Sequence, residues 1–253
     1  MMTNKSQTVV EHLEELRKRI IICIASFLGL TFFFFCLPSF HNSFSNQIIK
    51  YLQNYFLKNI LSPFSLKLIF LDPLEPIFVS MKVSALLSVL ILIPLFLYQT
   101  FAFISPAFTL NKRRQIAWFS LGGIVFFAIG GCISFFLLIP QTFKILIEYG
   151  LSTGASPQFT IGKFFNFLLW MFLIFSLPFE LPIVLGFLTY TGIISTEKLK
   201  SIRKPAYVGI AIFSAVVTPD PTPFSMLILT SILILLYEFG ILISLFFKWR
   251  ENK

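Results

Sequence analysis

Six apolar runs alternate with polar or charged segments along the 253-residue chain. A hydrocarbon core of about 30 Å requires roughly 20 apolar residues per helix, so each run predicts a membrane-spanning helix. The fifth run holds only about a dozen residues, a length that suits a re-entrant segment equally well. The spans are expected at about 20–37, 80–104, 116–139, 164–188, 206–218 and 224–247. The pattern therefore predicts an all-α, polytopic fold, with residues 1–253 forming a single integral membrane domain.

An amphipathic helix over residues 8–19 is expected to lead into the first span, because Val9, Leu13, Leu16 and Ile20 recur at helical spacing. Its polar face carries two i,i+4 pairs with the acid placed first, which is the favourable order. These pairs are Glu14–Lys18 and Glu15–Arg19. Two readings stay open: an interfacial helix with solvated charge pairs, or a carboxylate at the membrane border that receives a cationic peptide.

Basic residues are distributed unevenly over the segments that connect the spans. The two termini and the loops around 105–115 and 189–205 together hold 14 of the 20 basic residues, including all six arginines. The positive-inside rule therefore places both termini in the cytoplasm, or in its organellar equivalent. The long segment 39–76 is then extracytoplasmic and is expected to form short surface helices.

Composition agrees with a bilayer environment, since 57% of the residues are hydrophobic and only 12% are charged. The net charge of +9 lies at the predicted membrane borders, which argues against a nucleic-acid partner. The three cysteines form no C-x-x-C pair.

Sequence signals for catalysis or cofactor binding are absent. Gly162–Lys163 lacks the remainder of a P-loop, and there is no H-E-x-x-H motif. The two histidines, His12 and His41, are predicted on opposite sides of the membrane. No enzyme, metal site or cofactor is expected.

Two acidic residues interrupt predicted spans. Glu180 lies between Pro178 and Pro182, which should break the helix and free backbone carbonyls. An ionisable residue at this depth normally faces a partner helix or a functional path, although a hydrogen-bonded structural role is the alternative. Glu238 lies nearer the cytoplasmic end of the last span, where it could reach lipid headgroups or a basic residue.

Taken together, an ordered set of short motifs resembles the TatC family, the multispanning receptor of the twin-arginine (Sec-independent) protein translocase. Each motif is weak alone, but together they run in the family's order from residue 12 to residue 238. They are His12-Leu-Glu-Glu-Leu-Arg-Lys-Arg19, Pro73-Leu-Glu-Pro-Ile-Phe78 with Lys82, Tyr98-Gln99 with Phe103-Ile104 and Pro106, Phe179-Glu180 with Pro182, Gly192-Ile193, Thr218-Pro219, and Tyr237-Glu238.

The resemblance implies a concave six-helix bundle with short fifth and sixth helices. Such a protein binds twin-arginine signal peptides of folded precursors at the cytoplasmic face. It recruits single-span TatA- and TatB-type partners into homo- and hetero-oligomers, and the proton-motive force drives transport. A bacterial cytoplasmic membrane is the expected location, with a plastid thylakoid or mitochondrial inner membrane as the alternative.

By the same resemblance, Glu15 contacts the signal arginines. Other residues implied to shape that site are His12, Arg17, Phe103 and Pro106. Intramembrane polar or partner contacts are implied for Gln99, Glu180 and Glu238.

The chain departs from the family pattern in its first cytoplasmic loop. Lys112 stands where the family commonly has a second Glu, and no acid occurs in residues 101–115. Because a lysine repels a guanidinium, this change weakens the case for recognition by two carboxylates. The acid of the stretch 218–223 is also displaced, to Asp220, with Thr222 at the family's usual position.

Two rival functions are carried forward. One is a proton-coupled small-solute transporter that uses Glu180 and Lys82. The absence of an internal repeat argues against an inverted-repeat transporter. The other is a purely structural membrane scaffold, and the presence of Glu180 between two prolines argues against it.

Overall fold

The computed structural model describes residues 9–39, 42–60, 68–104, 110–154, 156–218 and 223–251, and these are mostly helical. The α-helices are α1 (Val9–Cys36), α2 (Phe44–Tyr55), α3 (Glu75–Ile104), α4 (Leu110–Ile133), α5 (Ile139–Ser152), α6 (Ile161–Ser176), α7 (Leu181–Tyr190), α8 (Thr196–Ser201), α9 (Arg203–Val217) and α10 (Pro223–Glu251). Irregular helical turns occur at Phe56–Ile60 and Ser134–Leu138, both π, and at Leu177–Glu180, which is 3₁₀.

Within the described residues, five helical segments are long and apolar enough to cross a bilayer. They are Leu13–Cys36, Glu75–Phe103, Ala117–Ser152, Ile161–Tyr190 and Met226–Leu245. The fifth predicted span corresponds to α9, whose 15 residues extend for only about 22 Å at 1.5 Å per residue. The chain is therefore a multi-pass helical protein with five to six candidate spans.

Three features differ from the sequence-based expectations. The sixth helix is not short, because α10 runs for 29 residues with Pro223 in its first turn and no further proline to stop it. Helical structure also continues past Pro140, because the π turn precedes it and places this proline at the start of α5. The fold is not purely helical either, since Leu68–Ile69 and Phe159–Thr160, strands β1 and β2, form a short parallel pair.

The chain comprises two compact units, and the first contains Met1–Ile49 and Ser80–Leu121. Within it, polar side chains join α1 and α2 to α3. Thr31 Oγ1 donates to Ser88 Oγ at 3.1 Å, and Ser80 Oγ donates to Asn46 Oδ1 at 2.5 Å. Hydroxyls that bond inside an apolar environment hold helices together without exposing polar groups to lipid.

The second unit contains Lys50–Val79 and Gly122–Lys253, and aromatic rings fill much of its core. The fully buried Phe56 ring lies 5.6 to 5.9 Å, between ring centroids, from the rings of Phe135, Phe143 and Phe164. These distances are typical of attractive aromatic pairs. The segment following α2 is thus anchored on α5, α6 and the π turn before α5.

Gly192 ends α7 and redirects the chain towards α8. Its φ of +78° is a left-handed conformation that glycine adopts without steric cost. The N–H groups of Gly192 and Ile193 donate to the carbonyls of Thr189 and Leu188, which is the Schellman pattern of a helix end. The Gly192-Ile193 pair thus acts as a helix stop.

Candidate functional site

The Glu15 carboxylate, on α1 in the first unit, is already occupied by a guanidinium from the same helix. Arg19 Nε donates to Glu15 Oε1 at 3.1 Å, and Arg19 Nη2 donates to the same oxygen. The Glu15 side chain is 26% exposed and the Arg19 side chain 22%, so water only partly screens the pair. The predicted i,i+4 pair therefore exists as a partly shielded, charge-assisted contact.

Gln99 completes this cluster from α3. Arg19 Nη1 donates to Gln99 Oε1 at 2.8 Å, across 80 positions of sequence. The guanidinium thus bridges the carboxylate of one helix and the amide of another. We refer to Glu15, Arg19 and Gln99 as the border triad.

Sequence reasoning nominated Glu15 and Gln99 separately and omitted Arg19 from the candidate site residues. The spacing of Glu15 and Arg19 was a visible signal for their pairing. No local pattern indicated Gln99 as the second acceptor, because that contact depends on how α1 packs on α3.

The remaining residues nominated for peptide binding are described to different extents. Arg17 is exposed on α1, and Phe103 is partly buried on α3. Pro106 lies outside the described residues, as do the side chains of His12 and Lys112, whose backbones belong to α1 and α4. The displaced acid Asp220, with Thr222, also lies outside them.

Glu180, in the second unit, is a half-buried acid whose carboxylate accepts no hydrogen bond from the described residues. As the flanking prolines predicted, the helix is broken there, and Glu180 ends the 3₁₀ turn between α6 and α7. Within the described part of the chain, neither carboxylate oxygen has a hydrogen-bond partner, although both are shielded from solvent. Such groups are rare in native proteins and call for a functional or structural explanation.

A close helix contact fixes the backbone beside Glu180. A Cβ placed on Gly130 of α4 would lie 2.5 Å from the ring of Phe179, so only glycine leaves room for that ring. Phe179 is itself buried. Because Gly130 has no side chain, Phe179, the residue before Glu180, can pack closely against α4.

In contrast, both carboxylate oxygens of Glu238, on α10, accept hydrogen bonds. Arg203 Nη2 donates to Glu238 Oε2 at 2.6 Å, and the Tyr207 hydroxyl donates to Glu238 Oε1. Of the two partners considered from the sequence, a headgroup or a basic residue, the structure supplies the basic residue. We call Glu238, Arg203 and Tyr207 the α9–α10 clamp.

Further polar contacts tie α8 to α10. Thr196 and Ser244 share a hydroxyl–hydroxyl bond of 2.6 Å, and the Tyr237 hydroxyl donates to the Leu199 carbonyl at 2.8 Å. Together with the clamp, these bonds fix the segment after α7 along the last helix.

Lys82, which the solute-transporter alternative required, is exposed on α3. Among the described residues, no group of three or more His, Cys, Asp or Glu side chains is arranged to hold a metal ion.

Comparison with known proteins shows the family to which this chain belongs. The model of the family described as "Sec-independent protein translocase protein (TatC)" matches residues 11–231. The Aquifex aeolicus protein named Sec-independent protein translocase protein TatC is 32% identical over 93% of this chain and 94% of its own length. A relative of the same name from Carboxydothermus hydrogenoformans is 32% identical over 99% of this chain and 98% of its own length.

A solved structure agrees with the sequence relatives. The crystal structure of a twin-arginine translocase receptor, TatC, superimposes with a TM-score of 0.76 at 32% identity, covering 94% of this chain and 100% of that one. The chain therefore belongs to the TatC family and is a multi-pass, non-enzymatic membrane component of Sec-independent protein translocation.

Proposed function

We propose that this chain is the receptor that captures twin-arginine signal peptides of folded precursors, with Glu15 as the carboxylate that takes a signal arginine. The border triad carries the proposal, because Glu15 already accepts two N–H donors from a guanidinium. A signal arginine presents the same donors. A lysine ammonium lacks that planar fork, so the chemistry favours arginine.

The supporting residues follow from the same assignment. Arg17, exposed on the same helix, and Phe103, on α3, contribute to the binding surface together with His12 and Pro106. Lys112 replaces the acid that the family commonly has, so recognition relies on the single carboxylate of Glu15.

Glu180 is the proposed contact for a helix that inserts into the membrane beside the receptor. Its carboxylate, which accepts no hydrogen bond from the described residues, would gain one from a polar group of the signal peptide or of a single-span TatA- or TatB-type partner. The proton-motive force would drive the subsequent transport in the assembled oligomer.

The topology belongs to the same proposal. Six crossings, with α9 as a short fifth span in a locally thinned bilayer, put the basic segments and both termini in the cytoplasm. Residues 1–253 act as one integral membrane domain. We place it in a bacterial cytoplasmic membrane, with an organellar membrane of equivalent orientation as the alternative.

Export of a folded reporter tests the role of Glu15. In cells that lack their own receptor, Glu15→Ala should abolish export of a reporter with a twin-arginine signal, while the variant still accumulates in the membrane. Glu14→Ala is the matched control, because Glu14 is an exposed acid on the same helix turn. Normal export by Glu15→Ala, or equal loss in both variants, would remove the assigned role.

A further inference from the structure

Arg19 places a guanidinium of the chain itself at the position proposed for the signal arginine. Both bonds from Arg19 reach Glu15 Oε1, and the third bond of this guanidinium goes to Gln99. A signal peptide therefore meets a carboxylate that is already in use. Binding must either share that carboxylate or displace Arg19.

The surrounding charge favours displacement over sharing. Residues 14–19 of α1 carry two acids against three cations, Arg17, Lys18 and Arg19. Residues 101–115 contribute no acid that could compensate. Adding two arginines beside Arg19 would place like charges close together around one carboxylate, which is unfavourable.

Gln99 gives Arg19 a second acceptor that a displaced side chain can keep. The Gln99 amide oxygen is neutral, so the hydrogen bond that it accepts from the guanidinium is weaker than one accepted by a carboxylate. Arg19 can therefore release Glu15 and still retain one hydrogen bond on α3, which lowers the cost of the exchange.

We propose that Arg19 is an internal competitor for Glu15 and that Gln99 is the acceptor that holds Arg19 when a signal arginine takes its place. This inference rests on the proposed function. It assigns two specificity-determining residues, since a ligand must outcompete a guanidinium that is already bonded in a fork. A lysine peptide offers only a point charge and does not displace it.

Affinity measurements on the purified receptor in lipid nanodiscs test the exchange. The probe is a fluorescent synthetic peptide with paired arginines, compared with the same peptide carrying paired lysines. Arg19→Gln should tighten binding of the arginine peptide by about 3- to 10-fold and reduce the preference for arginine over lysine. Lys18→Gln is the matched control, because it removes one positive charge from the same turn and leaves the triad intact.

Each outcome has a defined consequence. If Arg19→Gln tightens binding of the arginine peptide more than Lys18→Gln does, the result supports Arg19 as a competitor for Glu15. Equal tightening in both variants shows general charge repulsion and overturns the proposal. Weaker binding by a folded Arg19→Gln receptor also overturns it.

A second variant covers the case in which Arg19→Gln does not fold. Gln99→Leu removes the alternative acceptor and should weaken binding of the arginine peptide by about 3-fold, because Arg19 then has only Glu15. Unchanged binding would contradict the exchange. The proposed function fails separately if the Glu15→Gln receptor binds the arginine peptide with the same affinity as the wild-type receptor.

Discussion

Glu180 and Glu238 are both acids within apolar helices of the same unit, yet their surroundings differ completely. Glu238 accepts hydrogen bonds on both carboxylate oxygens, from Arg203 and Tyr207. Glu180 accepts none from the described residues, although both of its oxygens are shielded. Since an unpartnered acid in an apolar environment is costly, an acid retained without partners indicates a use outside the local fold.

The difference separates two roles that look alike in sequence. Glu238 is a structural tie between α9 and α10, and its bonds account for its presence. Under the proposed function, Glu180 is the residue that an incoming helix contacts. The Glu15 carboxylate lies between these cases, because its partner Arg19 also donates to Gln99 and, in the proposed exchange, keeps that bond when it releases Glu15.

The largest expected effect on stability comes from the glycine that supports the Glu180 turn. Gly130→Ala should lower the free energy of unfolding by about 3 kcal/mol, because the new methyl group overlaps the Phe179 ring and forces α4 or the turn to shift. Unfolding by SDS in mixed micelles measures the change. Gly209→Ala is the control, since a Cβ at Gly209 meets no atom within 4 Å. Equal stability of the two variants would contradict the tight contact beside Glu180.

Breaking the α9–α10 clamp should have the next largest effect. Glu238→Ala leaves Arg203 without its carboxylate and should cost about 2 kcal/mol, a typical value for hydrogen bonds to charged groups. Tyr207→Phe removes a single hydroxyl and should cost about 1 kcal/mol. The same unfolding assay, with export normalised to the amount of folded receptor, measures both variants. Reduced export per folded molecule would show that Glu238 does more than stabilise.

The smallest stability effect is expected at Glu180. Glu180→Gln replaces the carboxyl group by an amide of similar size and breaks no hydrogen bond within the described part of the chain, so the free energy of unfolding should change by less than about 0.5 kcal/mol. Export of the reporter should nevertheless fall. A strongly destabilised variant, or one with normal export, would erase the distinction between the two acids.

Sequence patterns predicted the local features of the fold well. Apolar runs indicated the helices, and Pro178 with Pro182 indicated the break at Leu177–Glu180. Pro140 had less effect than expected, since helical structure continues past it as α5. Pro94 lies inside α3, and Pro140 follows a π turn, which shows that an apolar helix can continue past a proline when its surroundings permit.

Sequence predicted a polar partner on the same helix but not the partners on other helices. Spacing on one helix identified Glu15 with Arg19, because i,i+4 neighbours share a face. Gln99 and Arg203 lie 80 and 35 positions from the residues they bond, and those contacts depend on helix packing. Depth and flanking prolines did indicate different surroundings for Glu180 and Glu238, but they did not identify Arg203 and Tyr207 as the partners of Glu238.

The most direct test of the receptor assignment is site-specific photo-crosslinking beside Glu15. A photoreactive residue at position 18, one turn along the same face of α1, reports any peptide held by the Glu15 carboxylate. The account predicts strong crosslinking to a signal peptide with paired arginines, and loss of that product with paired lysines or in Glu15→Gln. Equal crosslinking of the arginine and lysine peptides, in both the wild-type sequence and Glu15→Gln, would contradict it.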